Sequence, residues 1–507
     1  MVNRGLRHGS NNCYGLIRAD CEMGTVDLSD KSTIDLNIIE KNIVEKVMSE
    51  AMKSGGDFAE VFAEERRGIG ASFDDGKIEE LSSGRSRGAG IRVIFGETTG
   101  FAHTADLSEE GLLTAARQAS SVARQGVRNG ATSKTSIGWE VNHSPGDDNP
   151  GNIREYPESI DKSRKVELLV AANEVARSQG SSITQVSAGY SDGRRRILVA
   201  NSNGVWATDD QVRTRFMVSC VASGDGGMQT GYEVAARTVG FELFDEVDAE
   251  EIARQAALRA IGKLSAVPAP TGPVSVVIKG GSGGILFHEA CGHGLEADHI
   301  VKGSSVYAGK LGEKVASSMV TLVDDGTMMG EWGTSRIDDE GRPVQRNVLI
   351  KDGVLTDYMW DHTLAVKEGR ESSGNGRRQS YQHLPMVRMT NTYILAGPDD
   401  PDEIVAQTER GVYVAKLGGG QVNTATGDFV FGMVEAYMIE GGKITQPLRD
   451  ANLIGNGPDV LTKIDAVGND FSTTPGTCGK DGQSVPVGCG QPTLRVTEVT
   501  IGGTAGA

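Results

Sequence analysis

The stretch His288-Glu289-Ala290-Cys291-Gly292-His293, just past the middle of a 507-residue chain, constrains the fold more than any other. Two imidazoles bracket a carboxylate within six residues. Imidazole binds zinc and its neighbours, and a carboxylate beside such an ion can activate water. For both imidazoles to serve one ion they must lie on one side of the backbone. In an α-helix each residue advances ~100°, so positions i and i+5 fall roughly 140° apart. The segment must therefore open to i→i+5 bonding or leave the helix near Gly292. Gly292 and Gly294 make either distortion easy. The bland alternative is two unrelated histidines on a regular helix. With eight His in the whole chain, a chance bracketing of a Glu is the weaker reading.

The pattern is close to the zincin signature His-Glu-x-x-His, with three residues instead of two between the Glu and the second His. Upstream, Val274–Ile278 reads as a short buried strand and Lys279–Gly284 as a glycine loop opening the motif helix. A strand, a glycine loop and a helix invite a phosphate-loop reading. The Gly-Lys-Ser/Thr ending is absent, so the loop is expected to let a backbone pass close by instead.

Composition narrows the function classes. A net charge of −17 argues against a nucleic-acid partner, which needs clustered cations. No apolar run approaches the ~20 residues of a membrane span, and the N-terminus has no apolar signal-peptide core. Six scattered cysteines do not make a disulfide framework. A cytoplasmic protein is expected.

The chain divides by pattern into five parts. Residues 1–32 form a polar extension expected to be poorly ordered. Residues 33–128 read as an α/β domain. Its first helix lies within Leu36–Ser54, with Ile39, Ile43, Val47 and Ala51 on one face, and its second spans about Ser108–Arg124 with Ser108 as N-cap. Between them lie four short strands, Glu60–Glu65, Ile69–Phe73, Gly90–Phe95 and Thr98–His103. Residues 129–156 are polar and Pro-containing, a linker or long loop. Residues 157–267 read as a middle α/β domain. It has helices near Ser159–Ser178 and Ala249–Leu264, the latter with a capping box of Asp248 and Glu251, and a hairpin turn at Asn203-Gly204. Residues 268–507 read as a β-rich, predominantly antiparallel C-terminal domain carrying the motif helix, with strands such as Val354–Trp360 between turn signals.

Near the C-terminus, Cys478 and Cys489 sit in glycine-flanked loops. Two His, one Cys and an open position would make a reasonable catalytic zinc set. A small Cys buried in a β-rich core is the competing reading. Cys291, Cys489 and His299 compete for the third position, His299 because its six-residue step from His293 equals that of the metzincin pattern.

Three blocks in this order, His288-Glu-Ala-Cys-Gly-His293-Gly-Leu-Glu, residues 377–393 (RRQSYQHLPMVRMTNTY) and Cys478-Gly-Lys-Asp-Gly-Gln, resemble the TldD/PmbA family over residues 33–507. The resemblance implies a cytoplasmic metallopeptidase acting on peptides or unfolded segments, in a two-subunit assembly whose active site faces an internal cavity. The partner would be a PmbA/TldE-like paralogue or a second copy. Because the histidine motif is intact, this chain resembles the active, TldD-type subunit. The resemblance implies His288, His293 and Cys478 as ligands of one Zn2+ and Glu289 as catalytic base. Beside it, Arg377, Arg378, Tyr381, His383 and Arg388 form a dense polar cluster. The cluster would bind a peptide carboxylate or stabilise an oxyanion, or else be a loop held by salt bridges. Two rival functions stay open: an amidohydrolase acting on a small biosynthetic intermediate, and a scaffold with a structural metal.

Overall fold

The computed structural model describes residues 38–125, 153–225 and 227–503. The extension at 1–32 and most of the polar segment 129–156 lie outside the described residues.

The first half is built on one antiparallel sheet of six strands. These are β1 (Phe58–Asp74), β2 (Lys77–Phe95), β3 (Thr98–Thr104), β4 (Ile183–Asn201), β5 (Trp206–Gly224) and β6 (Gly227–Arg237), in the order β3-β2-β1-β4-β5-β6. The stretches expected as separate strands fuse into long ones. Arg66, Arg67 and Gly68 do not interrupt β1, because β2 and β4 flank it and supply ladder partners along its length. The two arginines pair with Glu64 and Glu65. The β1–β4 pairing also joins the two segments read as separate α/β domains into one sheet.

Four helices cover that sheet. α1 (Lys41–Met52) buries Val44, Val47, Met48 and Ala51. It packs with α2 (Glu109–Gln125) on Ala59, Val61 and Ile91. Ser108 Oγ accepts from the Gly111 N–H, capping α2 as expected. α3 (Lys162–Ser178) and α4 (Ala249–Gly262) cover the far ends of the strands. Asp248 caps α4 by accepting from the Glu250 N–H, while Glu251 turns to Arg254 and Gln255 instead of closing the box. The Asn203-Gly204 turn is present, with Gly204 at φ +88°.

The second half is predominantly antiparallel. Its main strands are β7 (Gly272–Ile278), β8 (Leu322–Asp325), β9 (Arg346–Lys351), β10 (Asn391–Ile394), β11 (Arg410–Val422), β12 (Asp428–Glu440), β13 (Ser472–Lys480), β14 (Gln483–Gln491) and β15 (Leu494–Gly502). One sheet centres on β11, β7, β15 and β12. The other runs from Val354–Leu355 through β9, β8, β10 and β14 to β13, which is its edge. The motif segment is buried within the core of this half. Leu286, Phe287, Ala290, Cys291 and Leu295 pack with Val276, Leu322, Met389 and Val414 in a single cluster.

Two expectations are corrected here. Val354–Trp360 is a strand only at Val354–Leu355. Further on, Met359 exchanges backbone hydrogen bonds with Leu295 and Ala297 at the end of the motif, so its polar groups are satisfied there and not in a ladder. Cys478 and Cys489 are not in loops but on the paired strands β13 and β14. The glycines mark close packing: a Cβ on Gly488 would lie 2.3 Å from Asn391 Oδ1, and one on Gly490 would crowd Tyr393.

A candidate metal centre

The motif resolves its spacing problem through the backbone. A single helical turn, α5 (Gly284–Phe287), leads into a π-helical turn over His288–Gly292. The His293 N–H donates to the His288 carbonyl, an i→i+5 bond, and a 3₁₀ turn follows over His293–Leu295. The extra residue is absorbed, and the rings of His288 and His293 meet edge-on with centroids 5.2 Å apart. The glycine loop admits a backbone, as expected. A Cβ on Gly284 would stand 2.4 Å from the Cys489 carbonyl carbon, so β14 lies directly against the start of the motif.

That contact brings the β13–β14 hairpin to the imidazoles. Register pairs Cys478 with Val485 and Thr474 with Cys489, so Cys478, Val485, Val487 and Cys489 share one buried face. Cys478 Sγ lies 3.3 Å from His293 Nε2. Ligand atoms of His288, His293 and Cys478 all fall within 4.8 Å of one another. Cys489 sits near His288 but outside that group, and Cys291 is buried elsewhere, its thiol pushed up to about 12 by burial. His299 faces Ser304 and gathers with Glu296 and Asp298.

The donor set fits a tetrahedral divalent ion. His288 is 1 % exposed, and neither ring nitrogen has a hydrogen-bond partner. A buried polar ring with both nitrogens unpartnered is costly unless something else satisfies it. The 3.3 Å between Sγ and Nε2 is near the ~3.5 Å that two ligands of one zinc ion span. Without an ion the three groups would hold one another as charged partners. Burial pushes the Cys478 thiol up, but the charges of His288 and His293 and the hydrogen bond to His293 outweigh it and bring it to about 4. Burial pulls His293 down, yet Glu296 and Cys478 raise it to about 10.

Sequence reading missed Glu296 and Lys480. Glu296 Oε2 accepts from His293 Nδ1 at 2.8 Å, so Nε2, which faces Cys478, is the nitrogen that would offer its lone pair to an ion. Lys480, two residues beyond Cys478, reaches Glu296 at 2.9 Å, Asp298 at 2.8 Å and the Val387 carbonyl. The His293/Glu296 spacing of three was a usable signal; the Lys480 contact was not. Glu289 Oε2 lies 3.7 Å from His293 Nε2, with 24 % of its side chain exposed, so it faces the metal group and still meets solvent.

The polar cluster at 377–388 does not gather around the imidazoles. Arg378 is fully buried, donates to Glu60 and the Asp339 carbonyl, and stacks on Phe62. Arg388 is fully buried and donates to the carbonyls of Cys478 and Gln483, bracing the hairpin. Tyr381 packs with Phe62 and Val199 against the first sheet, and His383 pairs with Ser380.

Comparison with known proteins agrees with this architecture along most of the chain. Domain 1 of the PmbA/TldA metallopeptidases matches residues 59–123, their central domain 155–264 and their C-terminal domain 271–503. A Haemophilus influenzae protein named "Metalloprotease TldD homolog" is 40 % identical over 460 residues, 88 % of this chain and 93 % of that one. A Saccharolobus solfataricus protein named "Zinc metalloprotease TldD homolog" is 31 % identical over 54 % of this chain and 60 % of its own length. The crystal structure of TldE from Thermococcus kodakarensis shares the fold, with a TM-score of 0.72 and 23 % identity over 90 % of this chain and 99 % of that one. The three family domains in order and the extended identity together establish that this chain belongs to the PmbA/TldD metallopeptidase family.

Proposed function

We propose that the protein is a metal-dependent peptidase in which His288, His293 and Cys478 hold a divalent ion, zinc by preference, and Glu289 is the general base. The observation that carries this reading is the convergence of three buried ligand atoms beside a partly exposed carboxylate. When bound, such an ion supplies Lewis-acid polarisation and makes water acidic near neutral pH. Glu289 accepts the proton of the attacking water and returns it to the leaving amine nitrogen. Glu296 and Lys480 keep the His293 ring in the orientation that turns Nε2 toward Cys478.

The edge position of β13 supports a peptide substrate. An extended segment laid along an exposed strand edge is held by main-chain hydrogen bonds, with weak side-chain selectivity. A structural metal site would need no carboxylate like Glu289 at its margin, which disfavours the scaffold reading. We further propose a cytoplasmic two-subunit assembly with a TldE-like paralogue or a second copy, testable by light scattering of the chain alone and with such a partner. Among the described residues no helix is long and apolar enough to cross a membrane.

Glu289→Gln tests the assignment. Metal content should stay near that of the wild type, while hydrolysis of a mixed peptide library falls at least about 100-fold, the usual contribution of a positioned base. Wild-type turnover by the variant would refute the role. Hydrolysis of small amides but of no peptide would favour the amidohydrolase.

A further inference from the structure

A cavity of about 290 Å³ lies between the first sheet and the β13–β14 hairpin. Seven arginines line it, 66, 67, 194, 195, 213, 377 and 378, against a single carboxylate, Asp339. In a chain of net charge −17 this is a local inversion of sign.

Five of the seven have carboxylate partners: Arg66, Arg67, Arg194, Arg195 and Arg378 pair with Glu64, Glu65, Asp210, Asp339 and Glu60. Arg213 and Arg377 do not. Arg213 donates to the carbonyls of Trp332 and Thr334 and to Gln211 Oε1. Arg377 donates to the carbonyls of Met389 and Pro486. Four further donors on these arginines, Arg66 Nε, Arg195 Nη2 and Arg378 Nε and Nη1, are buried with no partner. The charge is felt by the groups themselves: burial, then Arg377, Arg195 and Arg66, pulls Arg213 down to about 9. Bracing of the two halves accounts for the bonds to main-chain carbonyls. It leaves the orphaned N–H groups and the unneutralised charge unexplained.

We propose that this cavity is a carboxylate-binding subsite for the peptide substrate. A carboxylate takes charge-assisted N–H bonds from guanidinium groups, and Arg213 and Arg377 bring theirs to the cavity without a carboxylate partner of their own. The subsite adjoins the metal group: Thr477 and Val485, the chain neighbour and the cross-strand partner of Cys478, both line it. A peptide running along β13 therefore places a residue near the metal group and a carboxylate in the cavity at once. That carboxylate belongs either to the free C-terminus or to an Asp or Glu side chain. The inference rests on the peptidase reading and narrows its substrates.

The test uses the full-length, metal-loaded protein and two sets of peptides. In one, a single neutral sequence carries either a free C-terminal carboxylate or an amide. In the other, an amidated peptide is scanned with Asp and Glu against Asn and Gln. The expected result is a preference of about tenfold in kcat/KM for a carboxylate in one set, the worth of one charge-assisted hydrogen bond. The responding set identifies the source. Arg213→Gln should bring the ratio near one, and Arg213→Lys should restore part of it. Calorimetric binding of the same peptides to the Glu289→Gln protein separates the two readings. Carboxylate-dependent binding without wild-type cleavage would remove the peptidase and keep the subsite. Equal cleavage and equal binding across both sets by the wild type would overturn the subsite, whatever the variants do.

Discussion

Replacing Glu296 with glutamine keeps the shape of a fully buried side chain and removes its charge. The carboxylate now takes the His293 Nδ1 proton bond at 2.8 Å and the Lys480 ammonium at 2.9 Å. An amide can still offer one oxygen, but it no longer raises the basicity of the ring. The other partners of Lys480, Asp298 and the Val387 carbonyl, remain, so the hairpin should stay docked. Losing one charge-assisted bond of this kind costs about 1.5–3 kcal/mol. Expressed through the ligand it orients, that is about a 10- to 100-fold weaker metal affinity. Competition against a chromophoric chelator reads the affinity directly. Melting of the metal-stripped protein reads folding separately, and should shift far less than the melting of the loaded form. A folded Glu296→Gln protein that binds metal within about twofold of the wild type would refute the argument that this carboxylate sets the ring.

Cys478→Ser should lower metal affinity sharply, because an alcohol is a poor ligand beside a thiolate, while Cys489→Ser should leave it nearly unchanged. Equal losses in a chelator titration would place Cys489 among the ligands. Asp361 gives a pH-dependent expectation. Burial, then the Glu340 charge, raises its pKa from 3.8 to about 7, although it caps a helix at the Leu364 N–H. The folded protein therefore holds a proton that the unfolded chain has released between about pH 4 and 7, and stability falls as pH rises through that window, by up to about 4 kcal/mol. Asp361→Asn keeps the cap, and should flatten the fall and stabilise the protein above pH 7 in denaturant melts. An unchanged pH profile would show that Asp361 is ionised throughout.

The family was legible in three short blocks, and the helices in their periodicity and caps. The ligand set was legible only in part. His288 and His293 are five apart, and their joint use required either i→i+5 bonding or a helix end near Gly292. Cys478, Cys489 and His299 were competitors that residue type and spacing alone could not rank.

What the sequence determined by itself is therefore short-range. A five-residue step between two imidazoles that share an ion demands i→i+5 bonding or a helix end, an apolar residue every fourth position demands a helix face, and a Ser before Glu109 caps its helix. Tertiary structure decided the rest, because it depends on register between distant strands. Pairing Cys478 with Val485 turns the thiol toward the imidazoles; a slip of one residue would turn it to the opposite face of the hairpin. The same pairing carries Lys480 to Glu296 across 184 residues. Arginines from β1, β4 and β5 reach one cavity only because those strands lie side by side. Such juxtapositions follow from the packing of whole sheets, which no local pattern encodes.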